Sequence, residues 1–370
     1  MPPIPESNTA ILRFFESISI NISPSTEAQV YPLYKSPASY RLREQNPMTK
    51  MKLRTTPNLK TRFAPSPTGY LHLGHVLSML YIKTIADSLG AEIILRIEDH
   101  DPLRSKQHYI DEIIADLDWM GFSFSNRDAF NDPNTNFIQS NCNPTYLDFL
   151  DHLVRNHSDK VFGCTCSRKF ISEHKNNLQD KNGEWRYPGT CFNKKPALSP
   201  THNQAIKYQL ADKDYEFEDI LLGKQVGNPF QTYGAMTLQN RDAEWSYHFS
   251  NLVDDIEQGI NLVIRGTDIL SSTHRQINLA ESLCQATKNK PFEHVIFCHH
   301  PLSKCSITGK KLSKRSKSES IFKIRIEKIA SPEQLLAQCL KSIGIHIPNE
   351  KIDLSSACEL LKLHHDFGTF

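Results

Sequence analysis

Three groupings of side chains have the types and spacing to do chemistry. The first is His72-Leu73-Gly74-His75, two imidazoles three residues apart with a glycine between them. At the start of a helix such a pair can face one anion and donate to it alongside the unpaired backbone N–H groups, while Gly74 lets a backbone or a nucleotide base come close. Taken alone, the four residues also fit one buried and one solvated histidine. The second grouping is Gly309-Lys310-Lys311-Leu312-Ser313-Lys314-Arg315, a cationic loop able to neutralise charge that builds on a phosphate during displacement. A solvated basic loop is the plainer alternative. The third is Cys164-Thr165-Cys166 with Tyr187-Pro188-Gly189-Thr190-Cys191. Three thiolates and a fourth donor suit tetrahedral Zn²⁺, and by spacing alone free thiols fit equally well. The other six cysteines, Cys142, Cys284, Cys298, Cys305, Cys339 and Cys358, show no grouping and read as core or surface thiols.

These groups need a frame to hold them. Leu59, Thr61 and Phe63 alternate with polar residues as in a strand, and the turn-rich run Ala64-Pro65-Ser66-Pro67-Thr68-Gly69 ends it. Val76, Leu77, Leu80, Ile82, Ile85, Ala86 and Leu89 then recur at helical spacing up to Gly90. Glu92 to Ile97 predicts a second strand, and Ile110, Ile113, Ile114, Leu117 and Met120 a helix stopped by Gly121. A strand, crossover helix and strand imply a parallel sheet covered by helices. Ligands of such sheets bind beyond the carboxyl ends of the strands, where the histidine pair falls. No repeat of about 20 to 50 residues is visible. Near the end, Leu335, Leu336, Cys339 and Leu340 predict a small helical appendage.

The 370 residues include 43 Lys and Arg against 41 Asp and Glu, a net charge of +2. That balance excludes a polycationic tail as the main grip on nucleic acid but leaves a local basic face open. No apolar run is long enough to predict a transmembrane helix. Ile11 to Ile22 is interrupted by Arg13 and Glu16 with no small-residue cleavage site after it, so no signal peptide is expected. Nine cysteines, an odd number, read as reduced thiols of a cytoplasmic protein. Residues 1–56 hold seven prolines and no period and read as a poorly ordered extension; Met48 or Met51 is an alternative start.

Thr61-Arg62-Phe63-Ala64-Pro65-Ser66-Pro67-Thr68-Gly69-Tyr70-Leu71-His72-Leu73-Gly74-His75, with Arg96-Ile97-Glu98-Asp99-His100-Asp101, Val263 to Asp268, Ser272 to Gln276 and Lys311 to Arg315, resembles the class I glutamyl-tRNA synthetases. The likeness runs from about residue 61 to 315, and Arg315 at the close of the lysine motif suits the glutamate branch. It implies an α/β fold, a class I synthetase Rossmann-type parallel sheet with an inserted zinc-binding subdomain and a short helical C-terminus. The implied boundaries are the extension 1–56, the first catalytic half 57–160, the zinc insertion 161–200, the second half with the lysine loop 201–325, and the appendage 326–370.

The implied reaction is attack of a glutamate carboxylate on the α-phosphate of ATP, which travels with Mg²⁺. Pyrophosphate leaves and glutamyl adenylate forms, with no general base because the carboxylate is already ionised. By resemblance His72, Gly74, His75, Lys311, Ser313 and Lys314 bind ATP, with His72, His75 and Lys314 catalytic. Arg62, Ala64, Ser66, Glu98, Tyr247 and Arg265 bind glutamate: the arginines its carboxylates in an order left open, Glu98 its ammonium, Tyr247 through its hydroxyl. An Arg96–Glu98 salt bridge at a strand end is the plainer account of that pair.

Only 56 residues follow Lys314, short of a typical domain, where a full glutamyl-tRNA synthetase carries a large anticodon-binding portion. The sequence therefore resembles the truncated glutamyl-Q tRNA(Asp) synthetases, whose zinc ligands correspond to Cys164, Cys166, Tyr187 and Cys191. The 20 residues from Cys166 to Tyr187 exceed the spacing expected of them, which bears on the fourth ligand. The implied partners are ATP, L-glutamate and tRNA(Asp) bearing queuosine, with no membrane and a monomeric chain. A conventional enzyme charging the tRNA 3′ end and a silent tRNA-binding paralogue are the competing readings. Trp185, Arg186 and Trp245 are candidates for RNA contact, or simply packing residues.

Overall fold

Strand β1 (Lys60–Phe63), helix α1 (Leu73–Leu89) and strand β2 (Glu92–Leu95) form the crossover unit, with β1 and β2 parallel and Lys60 opposite Glu92. Gly90 closes α1 at φ +65°, a conformation that costs a glycine little. In this computed structural model the described residues are 56, 58–101, 103–174, 178–180, 183–194, 198, 203–284, 295–302, 320–348 and 350–365. The expected extension, apart from Thr56, and the expected lysine loop with Lys311, Ser313 and Lys314 lie outside them, as does Cys305.

Helices α2 (Gln107–Trp119) and α3 (Asn143–Asn156) lead into β3 (Val161–Cys164), and short α4 (Arg168–Ser172) and α5 (Thr190–Lys194) follow. Next come β4 (Ala205–Gln209), the antiparallel hairpin β5 (Tyr215–Asp219) and β6 (Gly223–Gly227), α6 (Pro229–Tyr233) and β7 (Ala235–Gln239). The chain then returns to parallel structure through α7 (Tyr247–Glu257), β8 (Leu262–Gly266), α8 (Thr273–Leu283) and β9 (Ile296–His300). It ends on α9 (Ile321–Ile326), α10 (Pro332–Ser342) and α11 (Leu354–His365).

The four-stranded sheet has the order β6-β5-β9-β8, and β3-β4-β7 forms a separate antiparallel sheet. The β1–β2 pair adjoins β8 through Asn261, whose N–H donates to Lys60 O at 3.2 Å and whose Oδ1 accepts Lys60 N–H at 2.8 Å. Covered on both faces, by α1 and by α7 through the Arg62–Asp255 pair, β1 does not alternate between core and solvent as its sequence pattern predicts: Thr61, Arg62 and Phe63 are all buried. The second strand is also shorter than the predicted Glu92 to Ile97; Ile97 makes only an isolated bridge to Ile138. The C-terminal helices are less of an appendage than the sequence implies. Leu335, Leu336 and Leu340 of α10 and Leu361 of α11 share one apolar core with Leu77, Leu80 and Ile85 of α1, burial worth about 1.5–3 kcal/mol per large side chain.

Candidate active site

At the carboxyl ends of β1, β2 and β8 lies a cavity of about 390 Å³. Arg62, Ala64, Ser66, His75, Glu98, Tyr247 and Arg265 line it, so the strand ends and loops gather seven residues selected from sequence. His72 and Gly74 stand next to it as the cap of α1. His72 is the N-cap: its Nδ1 accepts Gly74 N–H at 3.1 Å, and its own N–H donates to His75 Nδ1 at 3.1 Å. The rings lie 3.9 Å apart between centroids. Because each Nδ1 accepts a backbone N–H, each neutral ring carries its proton on Nε2. The tautomers put both Nε2–H groups at a helix N-terminus, a place suited to an anion. Both rings are half-buried, which removes the alternative of one buried and one solvated histidine. The need for Gly74 is local, since a Cβ there would meet the His72 ring at 2.9 Å.

Beneath the cavity sits a buried ion network that the sequence did not announce. Arg96 donates from Nη1 to Asp255 Oδ1 at 2.8 Å and from Nη2 to Glu98 Oε1 at 3.2 Å, with Asp254 Oδ2 at 3.7 Å from its Nε. The salt bridge between Arg96 and Glu98 is thus present, and Glu98 lines the cavity as well. Burial disfavours the Arg96 charge, but the carboxylates of Asp255, Asp254 and Glu98 outweigh it and hold its pKa above the ordinary arginine value. Burial likewise opposes ionisation of Asp255, yet Arg62 and Arg96 hold that carboxyl below its usual range. Arg62 donates from Nε to the same Asp255 Oδ1 at 2.8 Å. Glu98 also accepts Asn251 Nδ2–H at 2.8 Å. Both of its bonds use Oε1, so Oε2 keeps its accepting capacity for a ligand.

Arg265 is held differently. Its guanidinium donates to His299 Nε2 at 3.1 Å, Gln276 Oε1 at 2.8 Å and Thr273 Oγ1 at 2.8 Å. All three partners are neutral: His299 takes its proton on Nδ1, which donates to Asp219 Oδ2 at 2.6 Å, and burial pushes its pKa down. Among the described residues no carboxylate pairs with Arg265, which is 6% exposed; Asp219 stands behind the imidazole. Burial lowers the Arg265 pKa and the nearby Arg62 lowers it further, more than Tyr247, Asp255 and Asp219 raise it. Tyr247, at the start of α7, keeps its hydroxyl proton because burial and the neighbouring Glu98 push its pKa up to about 12.

The thiol cluster lies apart, on β3 and the segment after it. The sulfurs of Cys164, Cys166 and Cys191 fall within 4.8 Å of one another, and Cys166 and Cys191 are 3.5 Å apart. A tetrahedral zinc with Zn–S of about 2.3 Å requires S···S of about 3.8 Å, a value the cluster's spacings bracket. The Tyr187 hydroxyl is 3.6 Å from Cys164 Sγ and accepts Cys191 N–H at 2.8 Å, so it lies beside the thiols. Tyr187 is placed by its own N–H, which donates to Tyr233 O at 2.8 Å; the neighbouring Gly234 has no room for a Cβ, which would meet Tyr187 O at 2.4 Å. Each of the five other described cysteines is buried, as core thiols should be.

Asp254, Asp255, Asp219 and His299 escaped the sequence reading. A weak signal existed for the first two, which stand enclosed by apolar residues in Leu252-Val253-Asp254-Asp255-Ile256 on one helix. Trp245, a candidate RNA contact, is a packing residue: its Nε1–H donates to Asn143 Oδ1 at 2.8 Å and its ring leans on Phe249 at 5.2 Å.

Residues 58–363 match the family model for the class I (E and Q) tRNA synthetase catalytic domain. The glutamate–tRNA ligase of Sulfurihydrogenibium sp. is 31% identical over 311 residues, 82% of this chain and 62% of the relative. The glutamyl-Q tRNA(Asp) synthetase of Nitratidesulfovibrio vulgaris is 31% identical over 276 residues, 72% of this chain and 81% of the relative. The chain thus spans less than two thirds of the first relative's length. A glutamate tRNA ligase from Elizabethkingia meningosepticum, crystallised with its amino acid, shares the fold at TM-score 0.62 and 23% identity, over 83% of this chain and 65% of that one. Among the described residues no helix is long and apolar enough to cross a membrane.

Proposed function

Because this chain belongs to the class I tRNA synthetase family with glutamyl and glutaminyl (E and Q) catalytic domains, we propose that it activates L-glutamate with ATP and passes the glutamyl group to queuosine in the anticodon of tRNA(Asp). The observation that carries the first step is Arg265. A guanidinium buried against three neutral partners and facing a cavity leaves a charge uncompensated, at a cost of several kcal/mol. A substrate carboxylate supplies the missing anion. Arg62 brings a second cation, Glu98 Oε2 accepts from the substrate ammonium, and the protonated Tyr247 hydroxyl donates to bound substrate.

In the activation step a carboxylate oxygen of glutamate forms a bond to the α-phosphorus of ATP and the bond to the β-phosphate oxygen breaks. The leaving pyrophosphate takes its electron pair. No proton has to move, so the protein's task is alignment and neutralisation. His72 and His75 donate from Nε2 to the phosphates, and Lys314 with Lys311 and Ser313 is assigned the same role from sequence. Mg²⁺ bound with ATP would neutralise phosphate charge. Zinc held by Cys164, Cys166, Cys191 and Tyr187 would have all four positions filled by protein, a structural arrangement. Elemental analysis of freshly purified protein should find one zinc per chain, reduced in Cys166→Ser; none in the wild type refutes the assignment.

The acceptor rests on resemblance: the cysteine and tyrosine pattern, and relatives named glutamyl-Q tRNA(Asp) synthetase. Charging of the tRNA 3′ end is the second reading, favoured by glutamate–tRNA ligases at the same 31% identity. Glutamate-dependent exchange of pyrophosphate into ATP without RNA tests activation, and exchange that needs RNA refutes tRNA-independent activation. Nuclease mapping of labelled glutamate on tRNA(Asp) tests the acceptor: label in the queuosine nucleotide supports the proposal, and label on the terminal adenosine replaces it with the second reading.

A further inference from the structure

Residues 161–200 carry seven Lys and Arg against three Asp and Glu, a charge of +4 in a chain of net +2. Within them, 178–180 and 183–187 form the two sides of a hairpin in which Gln179 bridges Trp185 antiparallel and Arg186 N–H donates to Leu178 O at 2.8 Å. Alternate residues of an extended strand face opposite ways. Glu184 and Arg186 share one face, and both are pinned to the catalytic body. Glu184 takes Arg275 in a two-pronged pair at 2.7 and 2.8 Å. Arg186 donates from Nε to the carbonyls of Phe230 and Gln231 at 3.2 and 3.1 Å, with its guanidinium 4.9 Å from the centre of the Phe230 ring. Trp185, between the two pins, is turned to the other face and is 38% exposed. Among the described residues its indole has no ring partner or hydrogen bond.

The Arg275 pin also ties the hairpin to the cavity. Arg275 lies 3.9 Å over the Tyr233 ring and bonds His248 Nε2 at 2.6 Å, one residue from the cavity's Tyr247. Two of the insertion's three acids are already consumed within the protein, Glu184 by Arg275 and Asp180 by the Tyr233 hydroxyl at 3.1 Å. What faces outward is an aromatic plane fixed between two pinned residues, in an insertion whose sequence carries a net charge of +4. An unpaired nucleobase with its phosphates meets both features, because a base stacks on a ring and its backbone seeks cations. A protein partner would more often bury a patch with its charges paired and its aromatics clustered.

We propose that Trp185 is a stacking platform for an unpaired base of an RNA loop approaching the cavity. The inference rests on the reading that this chain acts on tRNA, but its test does not depend on glutamate transfer. The measurement is anisotropy of fluorescently labelled RNA, using the unmodified tRNA(Asp) anticodon stem-loop and a blunt duplex of the same length. Stacking is worth about 1–3 kcal/mol per base, so Trp185→Ala should weaken stem-loop binding about 5- to 150-fold. Trp185→Phe should keep most of the affinity, and duplex binding should be unchanged in both. RNA-free pyrophosphate exchange should stay at the wild-type level in both variants. Wild-type affinity of Trp185→Ala for the stem-loop overturns the proposal, as does equal loss on duplex and loop or equal loss in both variants. Should wild-type protein fail to activate glutamate while its stem-loop affinity still depends on Trp185, the activation reading falls and the platform stands.

Discussion

Arg96 and Arg265 are both buried guanidiniums at one cavity, Arg265 in its lining and Arg96 bonded to the lining Glu98, yet the fold completes them in opposite ways. Arg96 is ringed by Asp255, Glu98 and Asp254, so its charge is satisfied before any ligand arrives. Among the described residues Arg265 hydrogen-bonds only Thr273, Gln276 and His299 through its side chain, and Asp219 reaches it through the His299 imidazole. Burial opposes charge at both, but only Arg96 has carboxylates enough to reverse it. The contrast separates a cation that holds the fold from one that waits for substrate, because an ion buried without its counter-ion is tolerated only where function requires it.

The largest effect should come from breaking the completed side. Asp255→Asn leaves Arg62 and Arg96 without their shared anion and should cost about 3–5 kcal/mol in chemical denaturation. A loss within the experimental error of wild type would remove the distinction between the two arginines. On the incomplete side the opposite pattern is expected. Arg265→Met should lower kcat/KM for glutamate in pyrophosphate exchange by about 2–5 kcal/mol, roughly 30-fold to several thousandfold. Its unfolding free energy should be unchanged or higher, since a charge without a counter-ion has been removed. Destabilisation as large as that of Asp255→Asn would show that Arg265 too belongs to the frame.

His299→Gln gives a smaller and sharper test. It loosens the Asp219–His299–Arg265 chain while leaving Arg265 in place, and should raise KM for glutamate with a cost near 1 kcal/mol. An unchanged KM would mean that Arg265 is held well enough by Thr273 and Gln276. The smallest effect concerns pH. Burial raises the Asp254 pKa to about 7, more than Arg96 at 3.7 Å and the hydrogen bonds from Gln139 and Tyr146 lower it. The folded protein therefore binds a proton that the unfolded chain releases at the ordinary carboxylate pKa. Stability from this group is full below that value and declines as pH rises through about 7. Thermal unfolding of Asp254→Asn should show a shallower decline over that window; an identical slope would place the titration elsewhere.

The crossover unit was legible because apolar spacing and Gly90 report local structure, and the histidine pair because a cap is a local feature. The completion of Arg96 and Arg62 was not, because Asp255 lies 159 and 193 residues away from them. The alternation of Leu59, Thr61 and Phe63 misled for a related reason: α1 and the sequence-distant α7 cover both faces of β1, so Arg62 and Thr61 are buried together. The thiols were legible as a spacing, while their convergence depends on the turn that carries Tyr187 and Cys191 back to β3. Trp185 and Trp245 looked alike in sequence. What separates them is a neighbour's geometry, one indole packed against Phe249 and the other turned outward between two pinned residues.

The claim that Arg265 is completed by substrate is tested most directly by thermal unfolding of wild type and Arg265→Met with L-glutamate or L-glutamine, in the absence of ATP and RNA. Ligand that binds only the folded state raises the unfolding temperature in proportion to its occupancy. Glutamate should raise the midpoint of the wild type more than glutamine does, and Arg265→Met should lose that shift while its midpoint without ligand stays at or above wild type. An equal glutamate-induced shift in both proteins would contradict the account.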